Sequence, residues 1–144
     1  MLRSAVLFGL LGFCALASTA PARADDVVYI GKEKVAAAMT HPGVLSSGSD
    51  YIVSMSRRDK GGQSEVHADE TDVFYVLDGS ATFVTGGTIT DPQTTEPGQI
   101  RGSGISGGQT HKLSKGDVIV IPKGTPHWFK EVPKVVVYYV VKAK

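Results

Sequence analysis

The chain has 144 residues, with 15 Lys and Arg against 14 Asp and Glu, and 42% of its residues are hydrophobic. This length suits a single domain. The formal net charge is only +1 and no basic stripe is present, which excludes the electrostatic footprint of a nucleic-acid-binding protein.

Residues 1–24 have the three parts of a secretory signal peptide. A short positive start at Met1-Leu2-Arg3 precedes an apolar stretch over residues 4–20 and the A-x-A cleavage pattern Ala22-Arg23-Ala24. A membrane anchor is the alternative, but the apolar stretch is at the short end for a membrane span. We therefore expect cleavage before Asp25, a mature domain of residues 25–144 without membrane association, and a periplasmic or secreted location.

Cleavage also changes the charge and the chemistry that remain. It removes Arg3, Arg23 and Cys14, which leaves 13 basic against 14 acidic residues, or −1 with neutral histidines. The mature domain then has no cysteine for a disulfide or a thiol nucleophile. Its stability must come from a core, a metal or a partner.

After one short helix, the mature chain has the pattern of an all-β protein. Helical character is confined to residues 32–39, which run up to a stop at His41-Pro42-Gly43. The rest consists of short β-forming runs separated by clusters of Gly, Pro, Asp and Ser. The predicted strands are residues 27–30, 51–57, 64–67, 72–77, 80–85, 111–113, 117–121, 127–130 and 135–142.

Two connections stand out between these strands. Asp78-Gly79 separates two apolar runs and predicts a tight β-hairpin. Residues 86–109 are rich in Gly, Thr, Pro and Ser, with isoleucines spaced along them, and predict a long excursion that is partly ordered by those isoleucines. Such a segment is either functional or a tolerated surface insertion.

Residues 116–131 carry the most specific motif of the chain. Gly116, Pro122, Gly124 and His127 match the pattern G(x)5PxG(x)2H(x)3N, and Glu131 stands in place of the final Asn. This is the second motif of the cupin superfamily, which the chain therefore resembles. The resemblance implies an antiparallel double-stranded β-helix, the jelly-roll or cupin barrel, of six to eight strands.

The first cupin motif, G(x)5HxH(x)3-4E(x)6G, is present in altered form. Counting back from Gly79 places Asp72 at the glutamate position, His67 at the second histidine and Glu65 at the first. An alternative register starts from Gly61 with His67 as the first histidine, but it leaves only two residues before Asp72. We prefer the first register.

The motif residues have the chemistry of a metal site. Glu65 and His67 are two apart in a strand and share a face. The resemblance places His127 alongside, so that Glu65, His67, Asp72 and His127 converge. Two imidazoles with one or two carboxylates suit a divalent transition metal, namely Fe, Mn or Zn. The alternative is a polar network without a metal, or acidic residues in solvent at a strand end.

Further candidates surround these ligands. His111 shares strand parity with Leu113 and is a candidate catalytic base beside Glu65, although a partly exposed strand histidine is the simpler interpretation. Phe74 and Phe129 are candidate substrate contacts, or core residues. One of Arg57 and Arg58 is expected to face the barrel and clamp a carboxylate, and we assign Arg57 to that role.

Residues 135–141 are apolar on both faces. Both faces of such a strand are expected to be covered. Cupins commonly pair through such strands, so a homodimer is expected; packing by the N-terminal helix is the alternative.

The fold does not identify which reaction a protein catalyses, so two classes of function are considered. The first is an exported metal-dependent enzyme of unresolved class, either an isomerase, a lyase or a dioxygenase. It would act on a small polar, oxygen-bearing substrate by Lewis-acid or oxygen chemistry. The second is a non-catalytic periplasmic protein that binds or senses a small molecule or a metal.

Overall fold

The computed structural model describes residues 26–144, so the expected signal peptide and its cleavage site lie outside the described residues. The helix is α1(Lys32–Thr40). The strands are β1(Gly43–Ser47), β2(Tyr51–Arg58), β3(Ser64–His67), β4(Thr71–Thr85), β5(Thr88–Thr90), β6(Gln93–Glu96), β7(Gln99–Gly102), β8(Gly104–Ser106), β9(Gln109–Ser114), β10(Val118–Ile121), β11(His127–Glu131) and β12(Val136–Ala143). Within residues 26–144, no helix has the length and apolar character needed to cross a membrane.

Two antiparallel sheets share the long strand β4. One sheet has the order β1-β2-β12-β4-β10 and uses the first half of β4. The other has the order β9-β4-β11-β3-β7-β6 and uses the second half. The predicted all-β, antiparallel double-stranded β-helix with one short N-terminal helix is confirmed. Its strands are more numerous than expected, and its sheets keep open edges rather than closing into a barrel.

The predicted hairpin at Asp78-Gly79 is wrong, because β4 runs straight through these residues. A two-residue type I′ hairpin needs positive φ at both central residues. Here Gly79 has φ +77°, but Asp78 does not have a positive φ. Instead, the Ser80 amide donates to the Val135 carbonyl at 3.1 Å. Gly79 therefore marks the point where β4 passes from one sheet to the other.

In three other segments the observed elements can be compared with the predicted ones. Residues 27–30 form no strand, and Val27 is 98% exposed, because no neighbouring strand pairs with them. Strand β1 was not predicted and pairs with β2. The excursion over residues 86–109 contains β5 to β8, with Ile89 paired to Ile105, so its expected ordering through isoleucines is confirmed.

The core lies between the two sheets, and a second apolar cluster lies under the helix. Strand β12 contributes to both, since Tyr138 and Val140 face the main core while Val137 and Tyr139 pack with Ala38 of α1 and its neighbours. The helix thus covers the second apolar face of this strand. The expected homodimer stays a prediction.

Candidate metal centre

The four predicted ligands converge on one point between the sheets. Glu65 and His67 come from β3, and His127 comes from β11, where it is directly paired with Glu65. Asp72 reaches the same point from the other sheet, at the start of β4. His67, Asp72 and His127 are buried, and Glu65 is half-buried. The period-two alternation of the strands turns all these side chains inward.

Their donor atoms have the spacing of ligands around one ion. His67 Nε2 lies 3.5 Å from Glu65 Oε2 and 3.5 Å from Asp72 Oδ2. For His127 Nε2 the corresponding distances are 3.9 and 3.8 Å. Ligands at about 2.1 Å from a tetrahedral metal are separated by about 3.4 Å. Glu65, His67 and His127 each offer one ligand atom, and these three atoms all lie within 4.8 Å of one another.

Both imidazoles are held through their second nitrogen. His67 Nδ1 is hydrogen-bonded to Gln99 Oε1, and His127 Nδ1 faces the Thr125 carbonyl at 3.1 Å. Because each oxygen accepts, the proton belongs on Nδ1 and the lone pair on Nε2. Both lone pairs then point to the common centre, as they do in metal sites where an outer partner fixes the tautomer.

The two carboxylates are held in the same way. Arg101 donates to Glu65 Oε1, which leaves Oε2 facing the histidines. Lys142 donates to Asp72 Oδ1 at 2.8 Å, which leaves Oδ2 facing the same histidines. Each of the four side chains therefore presents one atom to the centre while its other polar atom is anchored.

The charge states suit ligation. Burial raises the pKa of Glu65, but its hydrogen bond with His67 and the charge of Arg101 outweigh that effect and lower it to about 2. Burial lowers the pKa of His127 below 6.5, so this imidazole is neutral at pH 7. The hydrogen bond to Glu65 raises the pKa of His67 above 6.5. His67 is thus the ligand at which a proton competes most with a metal.

A cavity of about 290 Å³ opens beside the cluster. Phe74 and Phe129 line it, as expected of substrate contacts, and they also stack on each other in the core at 5.9 Å between ring centroids. Arg58 and Tyr138 line it as well, and the Arg58 Nε donates to the Tyr138 hydroxyl at 3.0 Å. The substrate roles of the two phenylalanines stay predictions.

Two predicted site residues are placed elsewhere. Arg57 is exposed and pairs with Val137 on the helix side of its sheet, so the arginine that faces the cavity is Arg58. His111 is not among the cavity-lining residues; its Nε2 is hydrogen-bonded to Thr85 Oγ1 at 2.8 Å on β4. The structure thus places His111 away from the other candidates, because β9 lies at the far edge of its sheet from β3, and its role as a catalytic base stays a prediction.

Three residues that anchor the candidate ligands were not predicted from the sequence. Gln99 and Arg101 lie in β7, within the excursion over residues 86–109, where no motif distinguishes them. Lys142 had a weak signal, since it is a charged residue with the parity of Tyr138 and Val140 at the end of an apolar strand. Only the pairing of β3 with β7 brings Gln99 and Arg101 to the site.

This donor set fits a divalent metal. Arg101 and Lys142 compensate one oxygen of each carboxylate, and the other oxygen of each faces the two imidazole nitrogens, where a cation would contact all four donors. Two nitrogen and two oxygen donors suit Fe, Mn or Zn rather than Cu(I). The residues present therefore satisfy the chemistry of such an ion.

The fold and the donor cluster define a small antiparallel β-sandwich protein with a candidate metal centre at the edge of its core. A family model described as Cupin matches residues 33–144, and the chain belongs to this family. No curated protein matches the chain.

Solved structures show the same fold at low identity. The cupin domain of Cnp3 from Schizosaccharomyces pombe is 14% identical with a TM-score of 0.52, over 72% of this chain and 59% of that chain. The TT1209 protein from Thermus thermophilus is 15% identical with a TM-score of 0.51, over 71% and 80% of the two chains. This chain thus spans less than two thirds of the yeast chain, and the similarity concerns the fold alone.

Replacing Gln99 tests the anchoring of His67. Gln99→Leu removes the acceptor at Nδ1, so the ring loses its fixed tautomer and orientation, and we expect metal affinity to fall about 10- to 100-fold. Affinity is measured by competition with a chelator of known strength. Gln93→Leu, at an exposed position of the neighbouring strand β6, is the matched control and is expected to leave affinity unchanged. Equal affinities in the two variants would contradict this role of Gln99.

Metal affinity should depend on pH because a metal ion must displace one proton from His67. The neutral form of His67 is needed for ligation, and its raised pKa means that this form is lost as pH falls through a value above 6.5. We expect affinity to weaken about tenfold per pH unit below that value. His127, with its lowered pKa, adds a second proton only at lower pH. Chelator competition from about pH 8 to about pH 5.5 measures the slope; a flat profile contradicts the assignment.

Proposed function

We propose that this protein is exported and that its mature form is a metal-dependent cupin enzyme acting on a small polar, oxygen-bearing substrate. One observation carries the proposal. Two imidazole nitrogens and two carboxylate oxygens point to one centre beside a cavity, and each ligand is anchored from behind. Whether the reaction is an isomerisation, a lyase reaction or a dioxygenation is left open by this observation.

The residues of the site have different roles in this proposal. His67, His127 and Glu65 hold a divalent Fe, Mn or Zn, with Asp72 as a further oxygen ligand. When bound, the ion polarises a substrate oxygen as a Lewis acid, and iron also permits oxygen chemistry. Glu65, whose pKa is about 2, remains ionised and is better suited to ligation than to the proton transfer that we expected of it.

Tyr138 takes the proton-donor role in this proposal. Burial raises the pKa of its hydroxyl, so the phenol is protonated at neutral pH. Its oxygen accepts a hydrogen bond from Arg58, and Ser56 is a second hydrogen-bond partner of this hydroxyl at the cavity wall.

An open coordination position distinguishes an enzyme from a protein that only binds or stores a metal. The Co(II)-loaded protein provides the test, since its visible spectrum reports coordination. We expect azide to shift this spectrum at a concentration that leaves the bound cobalt content unchanged. An unchanged spectrum on a fully loaded protein would instead favour the closed site of a non-catalytic binding or sensing protein.

Export of the protein is tested separately from its metal centre. Expression of the full chain in a bacterial host, followed by mass spectrometry of the periplasmic fraction, is expected to find a mature N-terminus at Asp25. Full-length protein retained in the cytoplasm would remove export from the proposal and would leave the metal centre unaffected. Size-exclusion chromatography of the same sample tests the expected homodimer.

A further inference from the structure

We propose that the cavity binds a small carboxylate-bearing molecule and that Arg58 is the residue that receives the carboxylate. This inference rests on the proposed function, because it places the carboxylate beside the metal centre. It specifies the substrate class of that site.

With a divalent ion bound, the cavity has an excess of positive charge. Its ionised acidic lining residues are Glu65 and Asp72, whereas its basic lining residues are Arg58, Arg101 and Lys142. Glu70, the second ion-pair partner of Lys142, brings the net charge to zero with neutral imidazoles, and a divalent ion raises it to +2. Uncompensated charge in a partly enclosed cavity is unfavourable and attracts a ligand of the opposite sign. A neutral ligand leaves this excess in place, whereas an anion reduces it.

Two of the three cations already serve the metal ligands. Arg101 is bonded to Glu65, and Lys142 bridges Asp72 at 2.8 Å and Glu70 at 3.2 Å. A new anion at either cation would compete with these contacts. Arg58 is held less tightly, since its Nη2 forms only a long ion pair with Glu65 Oε1 at 3.9 Å, which is beyond hydrogen-bond distance.

Arg58 is held in place and keeps guanidinium N–H donors free for a ligand. Its Nε donates to the Tyr138 hydroxyl, and its guanidinium lies 4.8 Å from the centroid of the Phe129 ring. These two contacts fix the plane of the group and use only one of its five N–H donors. The terminal nitrogens therefore present a planar fork that matches a carboxylate. The side chain is 31% exposed, so a ligand entering the cavity can reach it.

The neighbouring residue supplies a matched control. Arg57 has the same charge but lies on the outer face of the sheet, paired with Val137 of the cluster under α1, whereas Arg58 pairs with Val136 of the main core. Arg57→Gln and Arg58→Gln change the net charge equally. A difference between them reports the cavity rather than the overall charge of the protein.

The experiment titrates the Co(II)-loaded protein with unbranched carboxylates from acetate to glutarate and with the neutral analogue succinamide, and follows the cobalt spectrum and the heat of binding. We expect at least one of the carboxylates to bind, at least tenfold tighter than succinamide. Arg58→Gln should weaken that binding at least tenfold with unchanged cobalt content, while Arg57→Gln should bind like the parent protein.

Several results would overturn the inference. These are a loaded protein that binds none of the carboxylates, equal binding of succinamide, or equal binding by Arg58→Gln. Loss of cobalt from Arg58→Gln would also overturn it, because Arg58 would then act by supporting Glu65. Failure of the parent protein to bind cobalt at all is a different outcome: it refutes the proposed function itself, and the inference with it.

Discussion

Replacing either His67 or His127 with alanine should abolish metal binding. Each substitution removes one of the two nitrogen donors and leaves Glu65 and Asp72 as buried carboxylates with less compensation. Loss of an outer partner of a ligand already costs 10- to 100-fold in affinity, so loss of a ligand itself is expected to cost more than about 100-fold. Elemental analysis of the purified protein should find about one Fe, Mn or Zn per chain in the parent protein and almost none in either variant.

The chain offers two histidines as matched controls. His41 is exposed beyond the end of α1, and His111 lies on β9 away from the cavity. His41→Ala and His111→Ala should retain the metal content of the parent protein. A metal content that is nil in the parent protein, or unchanged in the His67 and His127 variants, would refute the metal centre.

Replacing Gly79 with alanine should lower the free energy of unfolding more than replacing Gly124 with alanine. Its φ of +77° is unfavourable for a residue with a side chain, and an added Cβ would lie 1.9 Å from the Val135 carbonyl oxygen. The backbone conformation alone costs about 1–2 kcal/mol, and forcing an atom into a filled space adds about 1–3 kcal/mol. Denaturant unfolding measures the change.

Gly124 separates these two contributions. Its φ of +76° is nearly the same, but an added Cβ would meet nothing within 4 Å. Gly124→Ala should therefore lose only the conformational part, about 1–2 kcal/mol. If the two variants lost equal stability, the close approach of Val135 to β4 at Gly79 would not matter to the fold.

Local patterns explain how far the fold and the site were predictable. Period-two alternation and fixed motif spacing placed His67 and His127 on inward faces, and both are buried beside each other. The same reasoning failed at Asp78-Gly79, because a dipeptide that suits a hairpin also suits a bend within one strand. Whether a hairpin or a bend forms depends on Val135 and on β12, which are distant in the sequence.

The alternation of side chains along a strand does not by itself identify the buried face. It predicts that Arg57 and Arg58 face opposite ways, but it does not say which face is the inner one. The pairing of β2 with β12 decides this by aligning Arg58 with Val136 of the main core and Arg57 with Val137 of the cluster under α1.

The amino-acid sequence by itself determined the class of this protein and the four side chains that converge between its sheets, since strand periodicity, turn residues and motif spacing are properties of short segments. Tertiary structure alone decided what surrounds those ligands. Gln99, Arg101 and Lys142 reach them only because β7 pairs with β3 and β12 pairs with β4. Contacts between segments so far apart depend on how the sheets assemble, and no local pattern encodes them.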